Sequence, residues 1–241
     1  MPHSFIPAAL TGTLAIQIAD QIGGAIVEDQ FIPGERIPEV SLAATFNVSR
    51  ATVRDALRIL ESRGLVRILP QRGAQVTLLS TQELRNLFEI RAVLLALASR
   101  QAAAHFQSTG ADRLRNALAQ LKQAVGDAGA YAHASAAIVA DVTHLSENEQ
   151  LAEMIAGFAQ RIGRYTRLGL LTRKRRIRSL ANWRALAAAI MTGDQDLAEA
   201  THRRLALENR DAAIAQIDVR ARLEFERTAA NSSKHKPRIK K

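Results

Sequence analysis

The stretch SRATVRDALRILESRGLVRILPQRGAQVT, residues 49–77, decides the fold of this chain. Ser49 is a favourable N-cap, and no glycine or proline follows it until Gly64, which ends the helix. Apolar residues recur at helical spacing along one face of this helix, and arginines recur every fourth residue on a neighbouring face. The residues of that neighbouring face, called here the arginine face, are Arg50, Arg54 and Arg58. The pattern predicts a half-buried helix with a basic exposed side.

A β-hairpin is predicted directly after this helix. Two β-prone runs, residues 65–69 and 74–77, flank the turn-forming tetrapeptide PQRG at residues 70–73. Upstream, a short helical pattern over residues 38–45 and a tight turn lead into the basic helix, which is the spacing of a helix-turn-helix. A helix-turn-helix followed by a hairpin with an arginine at its tip is typical of a winged helix-turn-helix. We therefore predict such a DNA-binding domain over residues 1–79.

The chain after residue 79 carries helical patterns and no convincing strand. Six patterns are separated by polar or glycine-containing breaks: residues 81–106, 110–125, 128–145, 148–170, 175–192 and 194–222. Antiparallel helices with short loops form a bundle that can enclose a pocket. The predicted fold class is mainly α, with the winged helix-turn-helix followed by an all-helical bundle of about six helices over residues 80–222. Residues 223–241 are polar and basic and are predicted to be a disordered tail.

Composition argues against several classes of protein. The 241 residues include no cysteine, which excludes disulfides and thiolate metal sites. No apolar run approaches the roughly 18 residues of a membrane span, and the N-terminus lacks a secretory signal pattern, so a cytoplasmic protein without a membrane segment is predicted. The sequence has no serine–histidine–aspartate order, no paired carboxylates in a plausible cleft and no glycine-rich phosphate loop. An enzyme is therefore not predicted.

Most of the excess positive charge lies outside the predicted DNA-binding domain. The net charge is +10, yet residues 1–79 hold seven arginines and seven acidic residues. The excess lies in residues 161–178, which contain eight basic residues and no acidic one, and in the tail. The tail either strengthens non-specific DNA binding through counterion release or is inert, and residues 173–176 are expected to be a solvated loop rather than a phosphate-binding patch. The evidence for DNA binding is the local arginine face.

The N-terminal segment resembles the DNA-binding domain of GntR-type transcriptional regulators. Residues 32–37, IPGERI, match the family's PGERL turn, and residues 47–57, NVSRATVRDAL, match its VSRtpVReAL run. Gly64-Leu65-Val66 and Arg72-Gly73 match the wing. In that family a dimer presents two recognition helices to successive major grooves of DNA, and the wings reach the flanking minor groove.

The resemblance implies roles for individual residues. Arg50 and Arg54 match the arginines that contact guanine edges and phosphates, and an arginine can bond bidentately to guanine. The full set implied to bind DNA is Ser49, Arg50, Thr52, Arg54, Arg58, Arg72 and Gly73. One departure is Val40, which stands where the family usually has an arginine. One contact to DNA is therefore expected to be missing.

The helical region resembles the effector-binding domain of the FadR/FCD branch of that family. The matching motifs are Glu89-Ile90-Arg91, Glu147-Asn148 and residues 189–194. FCD domains commonly bind a divalent metal through aspartate and histidine. Counting from the motifs, the four ligand positions are occupied here by Ser135, Val139, Trp183 and Leu205. None of these side chains is a usual metal ligand, so no metal cofactor is predicted.

The effector site is instead predicted to be a metal-free pocket. Its proposed lining residues are Arg91, Ser135, Trp183 and His202. Arg91 would supply the fixed positive charge for a carboxylate or another anion. Two alternatives stay open: Arg91 is a salt-bridged helix residue and Trp183 a core residue, or a different metal site forms from Asp141, His144 and His202.

Together these observations predict a homodimeric, sequence-specific regulator of transcription. The expected protein is a repressor that a small organic acid or a similar metabolite releases from a pseudo-palindromic double-stranded DNA operator. The alternative is a ligand-independent DNA-binding or architectural protein whose sensor domain is degenerate.

Overall fold

Helices dominate the structure, a computed structural model that describes residues 12–106 and 110–234, with side chains described between residues 14 and 223. The elements of these residues, in chain order, are α1 (Gly12–Val27), α2 (Glu39–Phe46), α3 (Arg50–Ser62), β1 (Val66–Leu69), β2 (Gly73–Val76), α4 (Thr81–Ala104), α5 (Ala111–Ala124), α6 (Ala128–Leu145), α7 (Glu149–Leu168), α8 (Arg173–Met191) and α9 (Gln195–Lys234).

The described residues divide into two compact units. Residues 12–80 together with 157–164 form the first unit, and residues 81–156 together with 165–234 form the second. The predicted boundary after residue 79 lies one residue before this division, whereas the sequence carries no signal for placing residues 157–164 in the first unit.

The first unit is the predicted winged helix-turn-helix. The apolar side of α3 is buried against α1, α2 and β1, and its residues are at most 1% exposed: Val53, Ala56, Leu57 and Leu60. The helix is half buried because its apolar residues recur at helical spacing while the intervening positions are polar. Asn47 adopts a left-handed conformation after α2 and so makes the tight turn before α3.

The wing is an antiparallel hairpin whose register runs from Val66 opposite Val76 to Leu69 opposite Gly73. Its turn follows the pattern of a type II turn, since proline precedes Gln71, whose φ is 60°, and the Arg72 N–H donates to the Leu69 carbonyl over 3.1 Å. Gly73 continues with a φ of 76°, a conformation that glycine adopts without strain. Turn chemistry therefore determines where the hairpin reverses.

The second unit is an all-helical bundle formed by α4 to α9, apart from residues 157–164 of α7, which confirms the predicted six-helix architecture. Helix α4 packs mainly on α9, and α8 packs on α9, α4 and α5. The core holds large side chains from several helices, among them Leu95, Tyr131, Ile138, Trp183 and Ile190.

A buried arginine joins two turns of this bundle. Arg176 is only 5% exposed and donates from Nε to Val125 O over 2.7 Å and from Nη2 to Gly126 O over 3.2 Å. Its Nη1 donates to Leu170 O and Leu171 O over 3.0 and 2.6 Å. The basic run around Arg176 was expected to be a solvated loop. That expectation is wrong, because the run begins α8 and backbone carbonyls hold this guanidinium inside the fold.

The prediction of a disordered tail is wrong for residues 223–234. Helix α9 continues through them to Lys234, whereas residues 235–241 lie outside the described part of the chain. No glycine or proline occurs between Gly193 and Pro237, so nothing in the local chemistry ends the helix where the apolar pattern fades.

Candidate DNA-binding face and ligand cavity

The arginine face lies on an exposed side of α3, next to the side whose residues α3 buries. Arg50, Arg54 and Arg58 are all exposed, and the side chains of Arg54 and Arg58 are 60% and 73% accessible. This arrangement places three guanidinium groups along one straight element whose position the unit's core determines. A helix of this kind fits the major groove of DNA, where arginine can recognise guanine.

The start of α3 is fixed by two of the predicted DNA-binding residues. The Ser49 hydroxyl accepts a hydrogen bond from the Thr52 N–H over 3.1 Å and lies 2.8 Å from the Thr52 hydroxyl. Ser49 is therefore an N-cap, as its position in the sequence indicates, and the cap determines where the arginine face begins.

At the tip of the wing, Arg72 is exposed and precedes Gly73. Gly73 has a positive φ, and a β-carbon there would lie 3.6 Å from Glu39 Oε1 and 3.7 Å from the Arg36 guanidinium, so this side of Gly73 faces side chains of the same unit. Val40, which replaces an expected arginine on α2, is 61% exposed and brings no charge. Of the residues proposed for DNA contact, Ser49 and the four arginines are exposed, whereas Thr52 and Gly73 are half-buried. Their role in binding stays a prediction.

Two carboxylates contact the arginine face. The Arg54 Nε donates to Glu39 Oε2 over 3.0 Å, and the Arg58 Nη1 donates to Asp55 Oδ1 over 3.3 Å. The Asp55 pair joins residues three apart on α3, whereas Glu39 reaches Arg54 from the first residue of α2. The contact of Glu39 with Arg54 was not predicted from the sequence, because the two residues lie fifteen positions apart and only the packing of α2 on α3 brings them together.

The second unit contains a small internal cavity that brings together the residues predicted for the effector site. Its lining includes all four predicted effector-site residues, Arg91, Ser135, Trp183 and His202. It also includes Val139 and Leu205, the two remaining positions at which the family has metal ligands. Together these residues come from α4, α6, α8 and α9, so the cavity lies between facing helices of the bundle. Such a position is usual for ligand sites in helical bundles.

Several polar atoms of this lining are buried without a hydrogen-bond partner. They include Arg91 Nε, Trp183 Nε1 and His202 Nε2. Buried polar groups are normally satisfied, so each exception calls for an explanation such as a water molecule or a ligand. The alternative in which Arg91 is a salt-bridged helix residue is not supported, since Arg91 has no carboxylate partner among the described residues.

The electrostatics of the cavity favour an anion. Arg91 is 6% exposed, and burial lowers its pKa from 12.5 to about 10, so it stays charged at neutral pH. Burial, and then the charge of Arg91, lower the pKa of His202 to about 3, so its imidazole is neutral. The His202 Nδ1 lies 2.6 Å from the Ser99 hydroxyl, and the His202 ring lies 5.2 Å from the Trp183 ring, edge to face. The cavity therefore holds a cation without a counter-charge.

The free volume of the cavity is about 10 Å³. That is enough for about one water molecule. A small organic acid therefore requires the lining to move apart in order to bind.

The lining does not fit the divalent metal that FCD domains commonly hold. Of the four family ligand positions, one has a hydroxyl group, on Ser135. The other three are Val139, Trp183 and Leu205, whose side chains are not usual metal ligands. His202 is the imidazole of the lining, and it lies near a charged guanidinium rather than near a carboxylate. Divalent cations bound by imidazole normally need further imidazole or carboxylate ligands.

The alternative metal site also lacks an assembled set of ligands. Asp141 pairs with Arg113 over 3.2 Å and His144 is exposed, while His202 is fully buried in the cavity wall. Within the described residues, no three histidine or acidic side chains come close enough to hold a metal ion. The absence of a cofactor remains a prediction.

The cavity has further polar lining residues that sequence analysis missed, chiefly Arg175, Ser179 and Asn209. Burial lowers the pKa of Arg175, with a smaller opposing effect from Glu208, whose Oε2 lies 3.8 Å from the Arg175 Nη1. Helical spacing could have identified these residues. Positions 175 and 179 precede Trp183 by two turns and one turn, and position 209 follows Leu205 by one turn.

In the part of the chain that the structure covers, no helix is both long and apolar enough to span a membrane.

Comparison with known proteins identifies both units. Residues 14–76 match the family described as "Bacterial regulatory proteins, gntR family", and residues 86–209 match the FCD domain. The chain is 32% identical over 138 residues to the Nta operon transcriptional regulator of Aminobacter aminovorans, covering 56% of this chain and 65% of that protein. It is 34% identical over 100 residues to the HTH-type transcriptional repressor RspR of Escherichia coli K12, covering 42% of this chain and 44% of that protein. The matched region thus spans less than two thirds of either relative.

The fold is also similar to a solved structure. E. coli McbR/YncC superposes with a TM-score of 0.74 at 21% identity, covering 85% of this chain and 99% of that one. At this level of identity the likeness concerns the fold alone. The two domain matches together cover most of the described residues and confirm the resemblance drawn from the sequence motifs, and the curated relatives are regulators rather than enzymes. The chain therefore belongs to the gntR family of bacterial regulatory proteins, in the branch that carries an FCD domain.

Proposed function

We propose that this protein is a sequence-specific DNA-binding repressor of transcription that acts in the cytoplasm. The observation that carries the proposal is the arginine face, where three arginines of α3 are exposed while the apolar side of the helix is buried. Repression is inferred from relatives such as RspR, whose name states that role. Binding would combine guanine recognition from α3 with backbone contacts from the wing.

A homodimer on a pseudo-palindromic operator is part of the same proposal. One recognition helix spans only a few base pairs, and a two-fold dimer that places a second copy in the next major groove doubles the contacts. The number of chains bound to one DNA duplex is measured by sedimentation of the protein with and without the best duplex selected from a random library. Two chains per duplex support the dimer, and one chain per duplex contradicts it.

Substitution of Arg54 tests the proposed DNA-binding surface. Arg54→Ala is expected to lower the affinity for the best duplex selected from a random library by about tenfold or more, because a bidentate contact to guanine is lost. Arg184→Ala is the matched control, since Arg184 is an exposed arginine of the second unit and its removal changes the net charge equally. Equal losses for both variants in a mobility-shift titration would contradict recognition through the arginine face.

The cavity is proposed as the site of a small anionic effector, with a carboxylate as the expected group. Arg91 offers a buried charge and an unpartnered Nε, and Trp183 offers an unpartnered Nε1 nearby in the same lining. Because the cavity holds only about one water molecule, the effector would select or induce an expanded state of the second unit. Release from DNA would follow if that expanded state binds the operator less well.

A ligand-independent DNA-binding protein is the second candidate. The observation that favours it is the small size of the cavity, which leaves no room for an organic acid unless the helices move. A thermal-shift screen of small mono- and dicarboxylic acids, using wild type and Arg91→Met, separates the two candidates. A rise in melting temperature that Arg91→Met abolishes supports the effector site, and intact operator binding with no response to any acid supports the ligand-independent protein.

A metal titration tests the absence of a cofactor. After treatment with a chelator, the protein is expected to bind neither Zn²⁺ nor Mn²⁺ stoichiometrically in isothermal titration calorimetry. Tight binding of one ion per chain would contradict the metal-free pocket.

A further inference from the structure

Glu39 lies where three parts of the first unit meet. It is the first residue of α2, and its Oε2 accepts a hydrogen bond from the Arg54 Nε of α3 over 3.0 Å. Its other carboxylate oxygen lies beside the wing, 3.6 Å from where a β-carbon on Gly73 would stand. The Glu39 side chain is 19% exposed, whereas the Arg54 side chain is 60% exposed. The carboxylate is thus the more confined member of the pair.

The backbone leading to Glu39 is anchored on the wing. The Ile37 N–H donates to Ala74 O over 2.9 Å, and the Val76 N–H donates to Glu35 O over 2.9 Å. Ile37 is itself 1% exposed. Because this segment is bonded to β2 immediately before α2 begins, the backbone position of Glu39 is fixed, and its carboxylate can orient a longer and more exposed side chain.

We infer that Glu39 is a positioning residue that sets the orientation of Arg54 for reading a base. A guanidinium has one Nε–H and two terminal amino groups, and Glu39 engages the Nε edge. The terminal groups stay available, and they can bond to O6 and N7 of a guanine. The inference rests on the proposed role of Arg54 in DNA recognition.

The value of such a contact lies in preorganisation rather than in stability. An ion pair as exposed as this one contributes little to folding. An arginine held in its binding rotamer, however, loses less conformational entropy when it meets a base. Orientation also favours the end-on geometry that distinguishes guanine, so the contact affects specificity more than total affinity.

The neighbouring pair of Arg58 and Asp55 supplies a matched control. Its members lie on the same helix three residues apart, and their side chains are 73% and 58% exposed. Asp55 is therefore less confined than Glu39. Removing either carboxylate changes the net charge near the arginine face by the same amount, so a general electrostatic effect on DNA binding would be similar for both.

The experiment measures discrimination by full-length protein between the best duplex selected from a random library and its single-base-pair variants at each G·C pair. Glu39→Gln removes the charge but keeps an oxygen within reach of Arg54, whereas Glu39→Asp keeps the charge and shortens the reach. The guanine that Arg54 contacts is identified as the one at which Arg54→Ala abolishes discrimination. At this guanine, discrimination is expected to fall about tenfold in Glu39→Ala and in Glu39→Asp. Glu39→Gln is expected to keep most of it, and Asp55→Ala all of it.

The outcomes separate this inference from the proposed function. If Arg54→Ala keeps full discrimination at every guanine, base reading by Arg54 fails, and the inference fails with it. If Arg54→Ala loses discrimination while Glu39→Ala and Glu39→Asp keep it, only the inference is overturned. Equal losses in Glu39→Ala and Asp55→Ala also overturn it, because charge alone would then explain the effect. Thermal unfolding followed by circular dichroism checks folding, and the comparison of Glu39→Asp with Glu39→Gln decides the matter if Glu39→Ala is unfolded.

Discussion

Replacing two buried arginines of the second unit by methionine should change its stability in opposite directions. Arg91 and Arg176 are 6% and 5% exposed, so both guanidinium groups are removed from water. Arg176 donates four hydrogen bonds to backbone carbonyls, whereas Arg91 Nε has no partner and no carboxylate balances its charge among the described residues. Methionine retains an unbranched, flexible apolar stem and removes the charge.

The magnitudes follow from these environments. Burial lowers the pKa of Arg91 from 12.5 to about 10, and at 1.36 kcal/mol per pH unit this corresponds to a cost of about 3 kcal/mol for the charged form. Arg91→Met removes this cost but also loses packing contacts worth about 1 kcal/mol. We therefore expect Arg91→Met to raise the free energy of unfolding by about 1–2 kcal/mol. Arg176→Met leaves several carbonyls without a donor and should lower it by about 3 kcal/mol or more.

Urea denaturation of both variants and wild type, followed by circular dichroism in buffer without carboxylates, measures these changes. A stabilised Arg91→Met beside a destabilised Arg176→Met is the expected result. If Arg91→Met is destabilised as much as Arg176→Met, then Arg91 contributes structural contacts rather than an uncompensated charge. The cavity would then not hold an uncompensated cation in need of an anion.

Three further predictions concern single side chains. The pKa of His202 falls from 6.5 in the unfolded chain to about 3 in the folded protein, so the unfolded state binds the extra proton between these values and stability falls as pH drops below 6.5. Compared with His202→Gln, the free energy of unfolding of wild type, measured by urea denaturation, should fall by about 1.4 kcal/mol for each pH unit below 6.5 and should not change above it. If the free energies of both proteins depend on pH in the same way, the buried imidazole is not neutral. Ser49→Ala should lower the free energy of unfolding of the first unit by about 1 kcal/mol through loss of the N-cap of α3, while Ser49→Asp, which can still cap, serves as its control. Gly73→Ala should lower the free energy of unfolding of the first unit by about 1 kcal/mol, because alanine disfavours the φ of 76° at this position even though there is room for a β-carbon. An unchanged melting temperature would show that the wing turn relaxes.

The sequence alone was sufficient for the DNA-binding element. The helix that carries the arginine face, its Ser49 cap and the hairpin turn at Gly73 all depend on residues that are neighbours in the chain. Periodicity, capping and turn chemistry act over a few residues, so these features can be predicted locally. Helix α9 runs past residue 222, where the predicted helix ended, because the fading apolar pattern was given more weight than the absence of helix breakers.

Tertiary structure alone decided what surrounds the functional side chains. Counting from the FCD motifs selected Ser135, Trp183 and other positions that do line one cavity, but only helix packing determines that the cavity holds about one water molecule. Packing likewise brings Glu39 to Arg54 and turns Arg176 inward onto backbone carbonyls. These contacts join residues that are separated in the sequence by five to fifty-one positions. The physical reason is that a side chain's spacing along a helix shows which face it occupies, whereas the volume and the partners at that face depend on which other elements pack there.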